Sequence, residues 1–118
     1  MNATTPLVDA RRLLEGTVET QAGLLLRAAT FLARQALESR TDELLARRVR
    51  NVEEARYDAR LLLLGEVLTD RELAKQTRFV WAALSSACHL HAYELPPPVS
   101  EVESWLDAVQ RFLDGSSV

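Results

Sequence analysis

The apolar residues of this chain recur at steps of three and four positions, the period of an α-helix with one buried face. No segment alternates apolar and polar residues between turn residues, so the sequence carries no signature of a β-strand. Glycine and proline are confined to a few positions that separate the helical segments. Because the connections are short, the pattern predicts an all-α fold, an antiparallel bundle of four principal helices plus a short N-terminal helix.

The first helix is predicted to begin at Thr5, with Pro6 at the first helical position, and to end near Gly16. A longer second helix is predicted to begin within residues 17–20. Its apolar positions are Leu24, Ala28, Phe31, Leu32, Ala36 and Leu37, and its polar stripe is Arg27, Thr30, Arg34 and Glu38.

The far end of the second helix admits two interpretations. Residues 39–42 are either a break, with Thr41 as a new cap, or part of a helix that continues towards Val49. We favour continuation.

Three later helix starts share one spacing, in which a capping side chain stands three residues before a glutamate. The pairs are Asn51 with Glu54, Thr69 with Glu72, and Ser100 with Glu103. Such a pair satisfies two backbone N–H groups that have no partner inside the helix, so it predicts a helix start at each position. The last helix has the clearest buried stripe: Val102, Trp105, Leu106, Val109, Phe112 and Leu113.

Composition bounds the function classes. A chain of 118 residues predicts one domain, spanning residues 1–118. A net charge of -3 argues against a non-specific nucleic-acid binder, because such proteins are strongly basic. The single Cys88 excludes an internal disulfide and, because no address label or apolar segment of about 18 residues is present, we expect a cytoplasmic protein without a membrane anchor.

Reactive side chains gather in residues 85–94, where a helix ends before three prolines. The predicted functional surface within this segment comprises His89, His91, Tyr93 and Glu94. Cys88 and His91 are three residues apart, yet no third metal ligand lies nearby, and Cys88 beside His89 does not form a catalytic pair on a helix. Because the common hydrolase and nucleotide-binding motifs are absent too, we predict no bound metal and no cofactor.

The densest basic run contains Arg47, Arg48 and Arg50, which form a candidate phosphate-binding group. Acidic residues almost balance the arginines between positions 40 and 60. Salt-bridged helix faces are therefore the favoured interpretation of the run.

Two segments, 61–64 and 79–84, are apolar on nearly every side of a helix. In so small a domain this pattern indicates that a second chain covers part of the surface. The partner prediction is a homodimer or another protein, and RNA is a less favoured partner. Trp81 and Trp105 are expected to be core or interface anchors.

The segment 28–38 resembles the long second helix of the HEPN superfamily of small helical bundles. Trp81, Leu84 and Ser85, followed by the two histidines, resemble the region that carries the conserved histidine of that family. Active HEPN ribonucleases have an R-x(4–6)-H motif whose residues meet across a dimer to cut RNA. Leu84, Ser85 and Ser86 stand where that motif requires its arginine before His91. The resemblance thus implies a helical dimer that has lost or rebuilt the catalytic pair.

Three functions follow from these patterns. The favoured hypothesis is a non-catalytic interaction or regulatory protein that forms dimers. The first alternative is an HEPN-type ribonuclease or toxin–antitoxin component in which His91 acts on phosphate, helped by Arg78, Tyr93 or an arginine of the partner chain. The second alternative is a nucleic-acid-binding regulator, for which Arg47 and Arg48 supply phosphate contacts.

Overall fold

The computed structural model describes residues 3–15, 22–89 and 95–116, and within them it contains helices and no strand. The prediction of an all-α fold is confirmed. The helices are α1 (Thr4–Glu15), α2 (Ala22–Ala46), α3 (Tyr57–Val67), α4 (Arg71–Cys88) and α5 (Val99–Gly115), with one 3₁₀ turn (Val52–Glu54) between α2 and α3. The start predicted for the second helix, at residues 17–20, lies outside the described residues.

Helix α2 is the centre of the fold, since it packs against each of the other four α-helices. Its buried face is made largely of small residues, among which Ala29, Ala33 and Ala36 are completely inaccessible to solvent. Small side chains let neighbouring backbones approach closely, so one helix accommodates four neighbours. The larger residues Leu24 and Phe31 lie outside this face and are exposed.

The predicted polar stripe of the second helix is wrong at Thr30, which is buried. Its hydroxyl donates to the carbonyl oxygen of Arg27 at 2.8 Å, and Thr41 donates in the same way to Leu37 at 2.9 Å. A threonine on a helix can satisfy its hydroxyl within its own preceding turn and then pack like an apolar residue. The buried face of α2 therefore includes Thr30 and leaves Phe31 exposed.

The continuation favoured for the second helix is confirmed, although α2 ends at Ala46 and does not reach Val49. The amides of Arg48 and Val49 both donate to the carbonyl oxygen of Leu45 and close the final turn. Asn51 then adopts a left-handed backbone conformation, with φ 56°. Asparagine tolerates this conformation better than most residues, and here it reverses the chain.

All three predicted capping pairs are wrong in detail. Asn51 precedes only the 3₁₀ turn and makes no side-chain cap, while α3 begins six residues later. At α4 the cap is Asp70, whose carboxylate accepts from the amide of Leu73 at 3.0 Å. At α5 the residue before the helix is Pro98, and Ser100 lies inside the first turn. The residue before α4 is therefore Asp70, not Thr69, and the residue before α5 is Pro98, not Ser100.

The predicted stripe of α5 is confirmed, because its five aliphatic and phenylalanine members are buried and Trp105 packs partly buried against the core. Gly115 lies against Leu73, since a Cβ at this glycine would approach the Leu73 Cδ2 to 2.8 Å. The C-terminal end of α5 therefore lies beside the N-terminal end of α4.

The alanine face of α2 generates a prediction for stability. Replacing Ala33 by leucine forces a larger side chain into a contact with no free space, and we expect a loss of about 1–3 kcal/mol in the free energy of unfolding. Chemical denaturation measures this loss. The control is Ala46→Leu at the exposed end of α2, which we expect to change stability by less than about 0.5 kcal/mol. Equal effects of the two substitutions would contradict the close packing described for α2.

Candidate protein-binding surface

One polar network joins α2, α3 and α4, and Glu38 is its hub. The Tyr57 hydroxyl donates to the carbonyl oxygen of Glu38 at 2.8 Å, and the indole N–H of Trp81 donates to the Glu38 carboxylate at 2.8 Å. The two aromatic rings are stacked, with centroids 6.1 Å apart. Arg34, one turn earlier on α2, places its guanidinium 3.7 Å from the same carboxylate.

Arg60 holds the other side of this network. Its guanidinium donates to the carbonyl oxygens of Ala55 and Glu53 at 3.0 and 2.8 Å, and to the Asp42 carboxylate at 3.1 Å. The guanidinium carbon also lies 4.8 Å from the centroid of the Tyr57 ring. One side chain therefore ties α3 both to α2 and to the turn that precedes it, using the planar set of donors that only arginine has.

Among the residues that the structure describes, ion pairs form on either side of the arginine run but not within it. Arg40, Arg56 and Arg60 pair with acidic side chains, whereas the salt-bridged interpretation is wrong for the run itself. Arg47, Arg48 and Arg50, the candidate phosphate-binding group, are exposed around the end of α2 and form no ion pair within the described part of the chain. Cations at this position complement the negative end of the helix dipole.

The predicted histidine surface is only partly described. His89 is exposed and is the residue that follows α4, with its amide donating to the carbonyl oxygen of Ser86 at 3.2 Å. His91, Tyr93 and Glu94 lie outside the described residues. Arg78, the arginine named for the ribonuclease alternative, is exposed on α4.

Cys88 is partly buried at the end of α4, with its sulfur 3.6 Å from the Thr30 hydroxyl oxygen. Among residues 3–15, 22–89 and 95–116, no group of three or more metal-ligating side chains converges. The reactive residues of this region are thus not gathered into a site by the described part of the fold.

Two grooves with a largely apolar lining lie on the described surface. The first, of about 440 Å³, lies along α2 and is almost wholly apolar. It contains the exposed Leu24 and Phe31, with Cys88 at one side. Its single charged lining residue, Arg27, already has an interaction within the chain.

The second groove lies between α4 and α5 and is called the α4/α5 groove below. One part, of about 350 Å³, is lined by Phe79, Val80, Trp105 and Ala108 among others. Trp105 also lines a second part, which extends to Ala83, Ser86, Leu95 and Pro97. Trp105 lies in the lining of both parts, and the α4 residues that line them span about 20 Å, or roughly four helical turns.

Large apolar side chains stand exposed along the α4/α5 groove. Phe79 is 72% exposed and Leu95 is 91% exposed, at the middle and at one end. The opposite end carries charge, with Glu72, Lys75 and Arg111 in its lining. An aromatic centre with charge at its border is the usual anatomy of a protein-binding surface.

Sequence reasoning named the apolar segment 79–84 but not the groove. Trp105 was expected to be a core or interface anchor, and its packing against the core agrees with the first role, while it also lines the groove. The apolar segment 79–84 pointed to Phe79 as a candidate surface residue. The sequence did not predict that Lys75 and Arg111 would line the same groove. Those two residues line one groove only because α5 packs against α4.

Comparison with models of known families, with curated proteins and with solved structures gives no match. Among the described helices, none combines the length and the apolar character needed to cross a membrane.

The donor set of Arg60 predicts that lysine cannot replace it. Arg60→Lys removes the fork that reaches two carbonyl oxygens and a carboxylate, so we expect unfolding to become easier by about 2 kcal/mol. The matched control is Arg56→Lys, four residues earlier, since Arg56 is highly exposed and forms only a surface ion pair with Asp58. Thermal and urea unfolding compare the two. A loss at position 56 as large as that at position 60 would argue against the network.

Tyr57 predicts a sensitivity to alkaline pH. Burial raises the pKa of its hydroxyl well above the ordinary value, and the nearby carboxylates of Asp42 and Glu38 raise it further. Because the folded state favours the protonated phenol, this contribution to stability is complete below the ordinary tyrosine pKa of about 10 and is lost as pH rises above it. We expect wild-type stability to fall more steeply above that pH than the stability of Tyr57→Phe. Parallel pH profiles of the two proteins, measured by urea unfolding, would refute the assignment.

Proposed function

We propose that this chain is a non-catalytic interaction module that binds another polypeptide through the α4/α5 groove. The observation that carries the proposal is the pair of exposed side chains Phe79 and Leu95 on either side of the partly buried Trp105. Isolated exposed apolar residues are ordinary on protein surfaces, but a contiguous row with an aromatic centre is typical of an interface.

The groove suits a helical partner because of what forms it. Two neighbouring helices form its walls, and its apolar residues recur at helical spacing on α4. A partner helix that presents apolar residues at the same spacing fills such a groove. Burial of Phe79 and Leu95 would then supply the main driving force, because both side chains lose most of their contact with water.

The predicted histidine surface adjoins this groove in the sequence. Glu94 is followed directly by Leu95, which lines one end of the groove. In the proposed function, His89, His91, Tyr93 and Glu94 carry no catalytic role. An antiparallel bundle is part of the same proposal, and it is supported by the position of Gly115 on α5 beside Leu73 on α4. A relationship to the HEPN superfamily is also part of the proposal.

The ribonuclease and nucleic-acid-binding alternatives rest on the resemblance and on the arginine run. His91, the histidine of the ribonuclease alternative, lies outside the described residues. The α4/α5 groove thus supports the interaction function more directly.

Photo-crosslinking in the native host tests this function. With p-benzoylphenylalanine in place of Phe79, we expect irradiation to join the chain to another polypeptide. The same group in place of Leu62, which is 62% exposed on α3 and outside the groove, is the matched control and should give no such product. Products of equal yield at both positions, or none at position 79, would refute the proposed function.

A further inference from the structure

We propose that the polypeptide bound by the α4/α5 groove is a second copy of this chain, packed in the antiparallel sense about the middle of α5. This inference rests on the proposed interaction function and specifies its partner. It is carried by the order of charges along the exposed side of α5.

The groove side of α5 reads the same in both directions with the charges exchanged. Glu101 stands at one end and Arg111 at the other, while the small residues Ser104 and Ala108 lie between them at helical spacing. Arg111, Ser104 and Ala108 line the groove, and Glu101 lies one turn before Trp105 on the same side. Neither charged side chain forms an ion pair within the described residues.

Antiparallel packing of two such helices satisfies both charges at once. Glu101 and Arg111 are about 15 Å apart along α5, at 1.5 Å per residue. If the two-fold axis passes beside residue 106, Glu101 of one copy lies level with Arg111 of the other, and the pair occurs twice. Ser104 then lies level with Ala108, so two small side chains face each other beside Trp105. A self-complementary patch of this kind is what a two-fold interface requires.

Helix α4 fits the same arrangement. Because Gly115 lies beside Leu73, the level of residue 106 on α5 corresponds to about residue 82 on α4. Phe79 of one copy therefore comes level with about Ser85 of the other, beside the small residues Ala82 and Ser86, which leave room for its ring. Lys75, which also has no ion pair within the described part of the chain, comes towards the same Glu101 as Arg111 does, while Glu72 of the same lining lies about one turn further from the axis.

The α2 groove offers no equivalent argument. Its lining is apolar apart from Arg27, so its residues specify neither an orientation nor a partner. The α4/α5 groove specifies both, because opposite charges stand at opposite ends of one helix and a parallel arrangement would place like charges together.

Reciprocal charge exchange tests the arrangement. Sedimentation equilibrium at micromolar concentration should show wild-type chains at twice the 13.2 kDa mass. Glu101→Arg and Arg111→Glu each place like charges together at both ends, and we expect each to raise the dissociation constant of the dimer about tenfold or more. The double variant Glu101→Arg/Arg111→Glu restores opposite charges and should recover most of the wild-type affinity.

Matched controls separate the interface from general charge effects. Glu66→Arg on α3 and Arg47→Glu after α2 make the same changes at exposed positions outside the groove and should leave the dimer unchanged. Phe79→Ser should weaken the dimer and Leu62→Ser should not, which provides a second comparison independent of charge. Circular dichroism of each variant verifies that the helices are retained.

Three results would overturn the inference: a wild-type monomer at these concentrations, a dimer that neither single exchange weakens, or a double variant no tighter than the single ones. The proposed function fails separately. A crosslink from position 79 to a different protein, with a wild-type monomer in solution, would retain the interaction function and eliminate the second copy as its partner.

Discussion

The packing of α2 against all four of the other α-helices is the constraint on which the rest of the structure depends. That packing needs a narrow buried face, and α2 provides it with alanines and with threonines whose hydroxyls bond within the helix. The leucines Leu26, Leu37 and Leu45 complete this buried face, whereas Leu24 and Phe31 lie outside it and are exposed. Helices α4 and α5 each bury one face. The α4/α5 groove lies between their exposed faces.

The polar network about Glu38 determines how α3 packs against the other helices. Helix α3 has a weakly amphipathic sequence, since leucines occupy four consecutive positions and only Leu61 and Leu64 are buried. Apolar pattern alone does not define which of its sides faces the core. Tyr57, stacked on Trp81, and Arg60, bound to Asp42, determine that orientation through directional contacts. Hydrogen bonds thus specify here what hydrophobic burial specifies in α5.

Helical periodicity was sufficient to predict the fold class, the continuation of α2 and the buried stripe of α5. Each of these features depends on residues within a few turns of one another. The buried Thr30 and the Glu38 network could not be predicted, because both depend on side chains from separate helices or on a hydroxyl satisfied by its own backbone. The capping pairs failed for a different reason, since Asp70 and Pro98 compete with the adjacent residues as start signals and the spacing alone does not choose between them. The groove was foreseen only as an apolar segment around Phe79.

Disulfide crosslinking between two single-cysteine variants tests the antiparallel interface most directly. In a Cys88→Ser background, copies with Glu101→Cys are mixed with copies with Arg111→Cys; one end of the mixed dimer can form the disulfide while the other retains its native ion pair. The account predicts crosslinked dimers in the mixture and few from either variant alone, because identical positions lie about 15 Å apart along the helices, beyond the reach of a disulfide. Crosslinks from each variant alone, with no excess in the mixture, would contradict it.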